Sequence, residues 1–238
     1  MRILELMGMS STKYGGIEKF NKALKDKQGQ DKFIFVYVET PRCQQYIEDM
    51  TSENSAIRSI SNKSVISYCI SVFCLILKFR PHIVHFHFGN EKLLLAPFIK
   101  IFFPWIRQVS TFHSEVKINS EKMRVLYRIF FSIQTNIIAV SNGVRLQIAK
   151  IYDRKKLVTS YLGVKCDTSR SKEDARSILG LPNNRLIFTT IGFDIRIKGL
   201  DVLVDAIDVM VKGLRRYLTP PPFGIPFCGC RPFREKRV

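Results

Sequence analysis

The stretch VISYCISVFCLILKF (Val65–Phe79), stopped by Pro81 and followed by HIVHFHF (His82–Phe88), decides the fold class of this chain. The first segment is apolar on nearly every side, which predicts a helix packed against a sheet. Proline cannot continue a helix, and the apolar run beyond it reads as a strand. The same alternation extends outward in both directions. On the N-terminal side, Ile3–Met7 reads as a strand, Met9–Gly16 as a polar turn, and Ile17, Phe20, Ala23 and Leu24 recur at helical spacing until Gln28-Gly29. Phe33–Val38 is a second strand. On the C-terminal side come helix Glu91–Phe103, strand Arg107–Phe112, helix Glu121–Ile133 and strand Asn136–Val140. Strands that alternate with helices and are apolar on both faces predict a parallel sheet covered on each side. The expected fold is a doubly wound, Rossmann-like α/β domain.

The pattern pauses near Tyr161-Leu162-Gly163 and restarts in a second unit: helix Glu173–Leu179 closed by Gly180, strand Arg185–Ile191, loop Gly192–Lys198 and helix Gly199–Lys212. After Gly213 neither period survives, and five of the ten prolines fall in the last nineteen residues. The expected organisation is an N-terminal domain over residues 1–163, an incomplete second Rossmann-like domain over 164–212, and a basic, proline-rich irregular tail over 213–238.

Composition narrows the functional classes. With 46% hydrophobic and 11% aromatic residues in 238, the chain is not intrinsically disordered. Thirty-eight basic against twenty acidic residues leave a net charge of +18, which implies a polyanionic neighbour: nucleic acid, an anionic membrane face or a phosphorylated substrate. The aromatics fall in core periods rather than interleaving with cations, so nucleic acid is not expected. The cysteines form no Cys-x-x-Cys pair, no secretory signal precedes the first strand, and reduced thiols in a cytoplasm are expected. Both long apolar stretches, Val65–Phe79 and Leu93–Ile106, fall short of the roughly 20 residues of a membrane span. The reading is a soluble protein or one peripheral on the inner face of the cell membrane.

Several short motifs carry chemistry. Gly15-Gly16 stands where the first strand hands over to the first helix, where free N–H groups attract a phosphate. The spacing is not that of a dinucleotide fingerprint. His85 and His87 alternate along one strand face and, with His113, form a conceivable three-imidazole metal site, but no carboxylate stands at a suggestive spacing, and no metal is expected. His113 ends a strand, where ligands collect in open α/β sheets. Glu115 reads equally as a helix-start charge or a catalytic carboxylate. Arg196 and Lys198 lead from a strand into a helix, a placement that suits a diphosphate.

Taken in order, Met1–Leu24 with Gly15-Gly16-Ile17-Glu18, Pro81–His87, Val109–His113, Ile137–Ser141 and Ile191–Asp201 resemble GT-B glycosyltransferases. The closest group is the retaining family that includes sucrose synthase and many bacterial lipid and polysaccharide glycosyltransferases, family four of the sequence classification. The resemblance spans roughly residues 1–210. It implies transfer of a sugar from a nucleotide-diphosphate sugar, with retention, to a glycan or lipid-linked acceptor, with no cofactor or metal. By the same resemblance Gly15 and Gly16 lie against the donor diphosphate, Lys198 holds its distal phosphate with Arg196 nearby, and His113 hydrogen-bonds the transferred sugar. Two departures stand out. Gly192 is followed by Phe193 where the family has arginine, and no glutamate lies between Asp174 and Arg234 to supply the pair that holds donor sugar and ribose. The chain therefore looks like a truncated or frameshifted glycosyltransferase, impaired on its own. The alternative is a non-catalytic subunit whose partner chain supplies the missing donor half.

Overall fold

The computed structural model describes residues 1–61, 63–116, 118–152, 155–161, 163, 170–189 and 199–215. The chain divides into two compact units, Met1–Cys166 and Asp167–Val238.

In the first unit the elements are β1 (Arg2–Leu6), α1 (Gly16–Lys27), β2 (Lys32–Tyr37), α2 (Gln44–Met50), β3 (Ser55–Ser59), α3 (Val65–Phe79), β4 (Ile83–Phe86), α4 (Lys92–Phe102), β5 (Arg107–Phe112), α5 (Glu121–Ile133), β6 (Asn136–Ala139), α6 (Asn142–Ala149) and β7 (Leu157–Thr159). The strands form one seven-stranded sheet in the order β3-β2-β1-β4-β5-β6-β7. Every neighbouring pair is parallel. This is the doubly wound, Rossmann-like α/β fold that the sequence predicts. Alternate residues of each strand serve opposite faces. Leu4, Leu6, Val84 and Phe86 share a core with Tyr68, Ile76, Leu95 and Phe130 of α3 to α5. Ile3, Met7, Phe33 and Phe35 share a second core with Tyr46 and Met50 of α2. Asn21 ties α1 down, its amide donating to the hydroxyls of Tyr37 (3.2 Å) and Tyr46 (3.4 Å).

The helix that decides the fold class packs on the sheet, as the sequence predicts, along a single stripe. Only Tyr68, Val72 and Ile76 of α3 are buried, while Ile66 is 74% exposed and Ile70 and Leu77 also face outward. A helix laid on one face of a sheet has a single stripe to bury, whatever the composition of the rest.

In the second unit the described elements are α7 (Lys172–Ile178) and α8 (Leu200–Arg215). Ser171 caps α7 by accepting the Asp174 N–H at 3.0 Å, and Gly180 follows it in the left-handed conformation with φ 64°. The strand expected at Arg185–Ile191 is absent over its described residues. Residues 186–189 adopt no regular structure, and Leu186 and Phe188 are exposed. Among the described residues of this unit no strand stands beside this run, and strands are defined by pairing.

Candidate functional site at the sheet switch point

The direction of winding reverses between β1 and β4, since β1 leads through α1 to β2 while β4 leads through α4 to β5 on the other side. In open α/β sheets a crevice opens at this point, outside the carboxyl ends of the strands. Here the loops after β1 and β4 run against each other. Gly8 (φ 60°) approaches so closely that a Cβ on it would lie 2.2 Å from the Phe88 carbonyl oxygen, and Gly89 (φ 79°) turns the second loop away. The Phe88 N–H donates to the Met7 carbonyl at 3.0 Å. Sequence reading passed over both glycines; the signal was a glycine two residues beyond β1 and three beyond β4.

Three histidines and one carboxylate gather beside these loops. Glu5, His85 and His87 lie on the same sheet face by their even spacing, and β1 pairs Glu5 with His85. His87 Nε2 stands 2.8 Å and His85 Nδ1 3.0 Å from Glu5 Oε2. His85 Nε2 is 2.8 Å from the Thr111 hydroxyl, and His87 Nδ1 is 3.0 Å from His113 Nε2. The His113 ring stacks on Phe88 with centroids 4.7 Å apart, and its Nδ1 is buried with no hydrogen-bond partner. Sequence spacing offers the histidines no carboxylate, yet the fold supplies one. Glu5 stands some eighty residues away in sequence, and only the pairing of β1 with β4 brings it there. Glu5, His85 and His87 each offer a ligand atom within 4.8 Å of the others, so among the described residues they are the group that could hold a metal. Both nitrogens stand at hydrogen-bonding distance from one carboxylate oxygen, however, which the protons between them account for.

Burial sets the charge states. It raises the Glu5 carboxyl, but the two imidazoles facing it lower it further, to about 2. His87 is lowered to about 4, chiefly by burial and then by His85. His113 is lowered to about 3 by burial, with His87, His85 and Lys92 adding. Both rings are neutral at neutral pH and the carboxylate is ionised. Lys92, the first residue of α4, is also buried. Its Nζ donates to the His87 carbonyl at 2.8 Å and lies 4.3 Å from the Phe112 ring centroid. Burial lowers this ammonium to about 7.

The helix expected to meet the diphosphate starts as predicted. Gly15 is its N-cap and a Cβ on Gly16 would meet nothing within 4 Å, so the approach to this helix start is open. Glu18 already supplies it with negative charge: its carboxylate accepts the Gly15 N–H at 3.0 Å and the Ser11 hydroxyl at 2.6 Å. An incoming phosphate therefore shares this helix start with a carboxylate. Glu115 is exposed and lies before the N-cap Ser120, so it is not a helix-start charge. Arg196 and Lys198 lie outside the described residues. The structure thus brings His85, His87 and His113 together with Glu5 and Lys92, and puts Gly15-Gly16 at the same carboxyl-end edge of the sheet.

Fold and site define a Rossmann-like domain with a histidine–carboxylate cluster beside its switch point. The chain is similar to a solved glycosyltransferase from Rickettsia africae, at 20% identity and a TM-score of 0.57 over 77% of this chain and 50% of that one. It is similar to HepE from Anabaena, solved in complex with UDP and glucose, at 17% identity and a TM-score of 0.50 over 76% and 50%. It is also similar to the lipopolysaccharide outer core galactosyltransferase WaaB, at 12% identity and a TM-score of 0.51 over 71% and 47%. The chain spans about half the length of these proteins. At such identities the likeness shows the fold. No family model and no curated protein matches the sequence.

Proposed function

We propose that this chain is the acceptor-side part of a retaining GT-B glycosyltransferase that takes its sugar from a nucleotide diphosphate. The observation that carries this reading is His113 Nδ1, buried without a partner beside the carboxyl ends of β4 and β5. A buried acceptor left open costs free energy unless a ligand fills it, and sugar hydroxyls are the donors that suit it. The start of α1 at Gly15-Gly16 supplies N–H groups for the diphosphate, whose charge grows as the sugar departs. In the same reading Arg196 and Lys198 add cations to it, and a second domain or a partner chain supplies the donor contacts that the absent glutamate pair would make.

The proposed acceptor is a lipid-linked or polymeric glycan reached from an anionic membrane surface. Among the described residues no helix is long and apolar enough to cross a membrane. Instead α3 and α4 expose Ile66, Ile70, Leu77, Phe98, Ile101 and Phe102, and Trp105 beyond them is 72% exposed. Phe73 joins the helices, its ring 5.7 Å from Phe102. Neither helix contains an acidic residue, and exposed Lys78, Arg80, Lys100 and Arg107 stand at their C-terminal ends. An apolar face rimmed by cations suits an anionic bilayer.

The test has two arms. In ligand-observed NMR, UDP-glucose or GDP-mannose should bind the full chain weakly, with Gly16→Val weakening binding further. Donor consumption by the chain alone should be negligible, because misplacement by about an ångström already costs on the order of 100-fold. Fusing a complete donor domain after Gly199 should restore transfer, and His113→Ala should then remove most of it. Absence of any nucleotide-sugar binding overturns the reading. For the surface, vesicles containing phosphatidylglycerol should capture the chain in a salt-dependent manner, and Ile101→Ser with Trp105→Ser should abolish capture. Equal capture by phosphatidylcholine vesicles overturns the anionic-surface reading.

A further inference from the structure

The hydrogen bonds from β1 to β5 fix where each imidazole proton lies. A carboxylate only accepts, so the nitrogens facing Glu5 Oε2, namely His87 Nε2 and His85 Nδ1, both carry hydrogen. A neutral imidazole has one N–H, so His87 Nδ1 is a bare acceptor. Its neighbour at 3.0 Å, His113 Nε2, must then donate. That leaves His113 Nδ1 without hydrogen, and this is the buried atom that no protein group satisfies. His85 closes its own branch, because its bare Nε2 accepts from the Thr111 hydroxyl at 2.8 Å.

We infer that Glu5, acting through His87, is a positioning residue that locks His113 in the Nε2–H tautomer, so that its buried, unpartnered Nδ1 is left as an acceptor for a ligand hydroxyl. The inference deepens the glycosyltransferase reading, since it gives the site a preference for an O–H donor over a carbonyl or a phosphate oxygen. The wrong tautomer would point an N–H at the same place and repel a donor. Phe88, stacked on His113, and the close passage of Gly8 against the Phe88 main chain hold the ring in this plane.

The experiment is long-range proton–nitrogen NMR on the full chain labelled at histidine nitrogens, at neutral pH and without ligand. His113 and His87 should each show a single Nε2–H form, and His85 a Nδ1–H form. Glu5→Gln should preserve all three, because one amide oxygen at the same point accepts both N–H groups. Glu5→Met should turn the His113 signal into a mixture of tautomers. His87→Phe should do the same, and it stands as the second variant if Glu5→Met does not fold. A Nδ1–H form of His113 in the unaltered chain overturns the inference. So does a pure Nε2–H form surviving in folded Glu5→Met or His87→Phe. Added UDP-glucose should then move the His113 Nδ1 resonance upfield as it gains a hydrogen bond. UDP-glucose that binds without moving it overturns the acceptor role while leaving the glycosyltransferase reading. No binding at all overturns that reading, while the tautomer lock is still decided by the ligand-free spectra.

Discussion

Phe130 in α5 and Val209 in α8 both belong to helices with apolar residues at helical spacing, yet Phe130 is fully buried and Val209 is 70% exposed. The contrast extends to the units that contain them. The first unit packs α3 to α5 on one face of its sheet and α1 and α2 on part of the other, with Phe86 and Phe112 each in ring contact with Phe130. In the second, among the described residues, no side chain is buried, and Ile178, Leu179 and Leu186 face outward. Amphipathic periodicity specifies a face, but the stabilisation of about 1.5–3 kcal/mol per buried large apolar side chain comes only when a surface exists to cover it. The histidine cluster depends on that covering, because His87 and His113 follow directly on Phe86 and Phe112, which are anchored in the main core.

The largest expected effect sharpens this contrast directly. Phe130→Ala should cost about 3–5 kcal/mol in urea unfolding of the first unit, whereas Val209→Ala should stay within roughly 0.5 kcal/mol. Equal losses would show that α8 has a buried partner in solution. Glycines offer the next comparison. Gly8→Ala combines the left-handed penalty with a collision against the Phe88 main chain, so a loss of roughly 3 kcal/mol or more is expected by thermal melting. Gly180 shares the conformation but has nothing within 4 Å, so its alanine variant should cost only about 1–2 kcal/mol, confined to α7.

Acid should unfold the first unit through its buried site. For His87 and His113 the folded pKa is depressed below the ordinary 6.5, to about 4 and about 3, so the unfolded chain binds protons first as pH falls. Their stabilisation is complete above about 6.5 and is lost as pH falls toward 4 and 3, on the order of a few kcal/mol. Glu5, lowered from 4.5 to about 2, continues the loss in the same direction. Lys92, depressed from 10.5 to about 7, makes stability rise further from pH 7 towards 10.5. A unit whose denaturation midpoint stays flat between pH 7 and 4 would contradict this burial. The smallest effect concerns helix caps. Ser120→Ala and Ser171→Ala each remove a side-chain acceptor at a helix start, worth about 1 kcal/mol. Ser120→Ala should lower the midpoint of the first unit, while Ser171→Ala should leave it unchanged and reduce only the helicity of α7.

Much of the fold was legible in the sequence, because local patterns carried it. The bounds of α3, β5 and α5 follow from apolar runs closed by Pro81 and by polar turns. The elements missed were α2, β3, α6 and β7, which are short and mixed. β3 reads SAIRS and β7 spans three residues, so neither offers a period, and both exist because a neighbouring strand edge pairs with them. Of the candidate site, His113 was visible as a strand-end residue, His85 and His87 as an alternating pair on one strand face, and Gly15-Gly16 as a strand-to-helix turn.

The sequence by itself determined the parallel α/β class, the first helix start and the histidines of one strand face, because residue spacing translates directly into helix turns and strand faces. Only the tertiary structure decided that Glu5 meets His85 and His87, that Gly8 passes against Phe88, and that α3 leaves one apolar side uncovered. Those facts depend on which strands lie side by side and on which surfaces remain to be covered. Neither is written in the spacing of residues along one element.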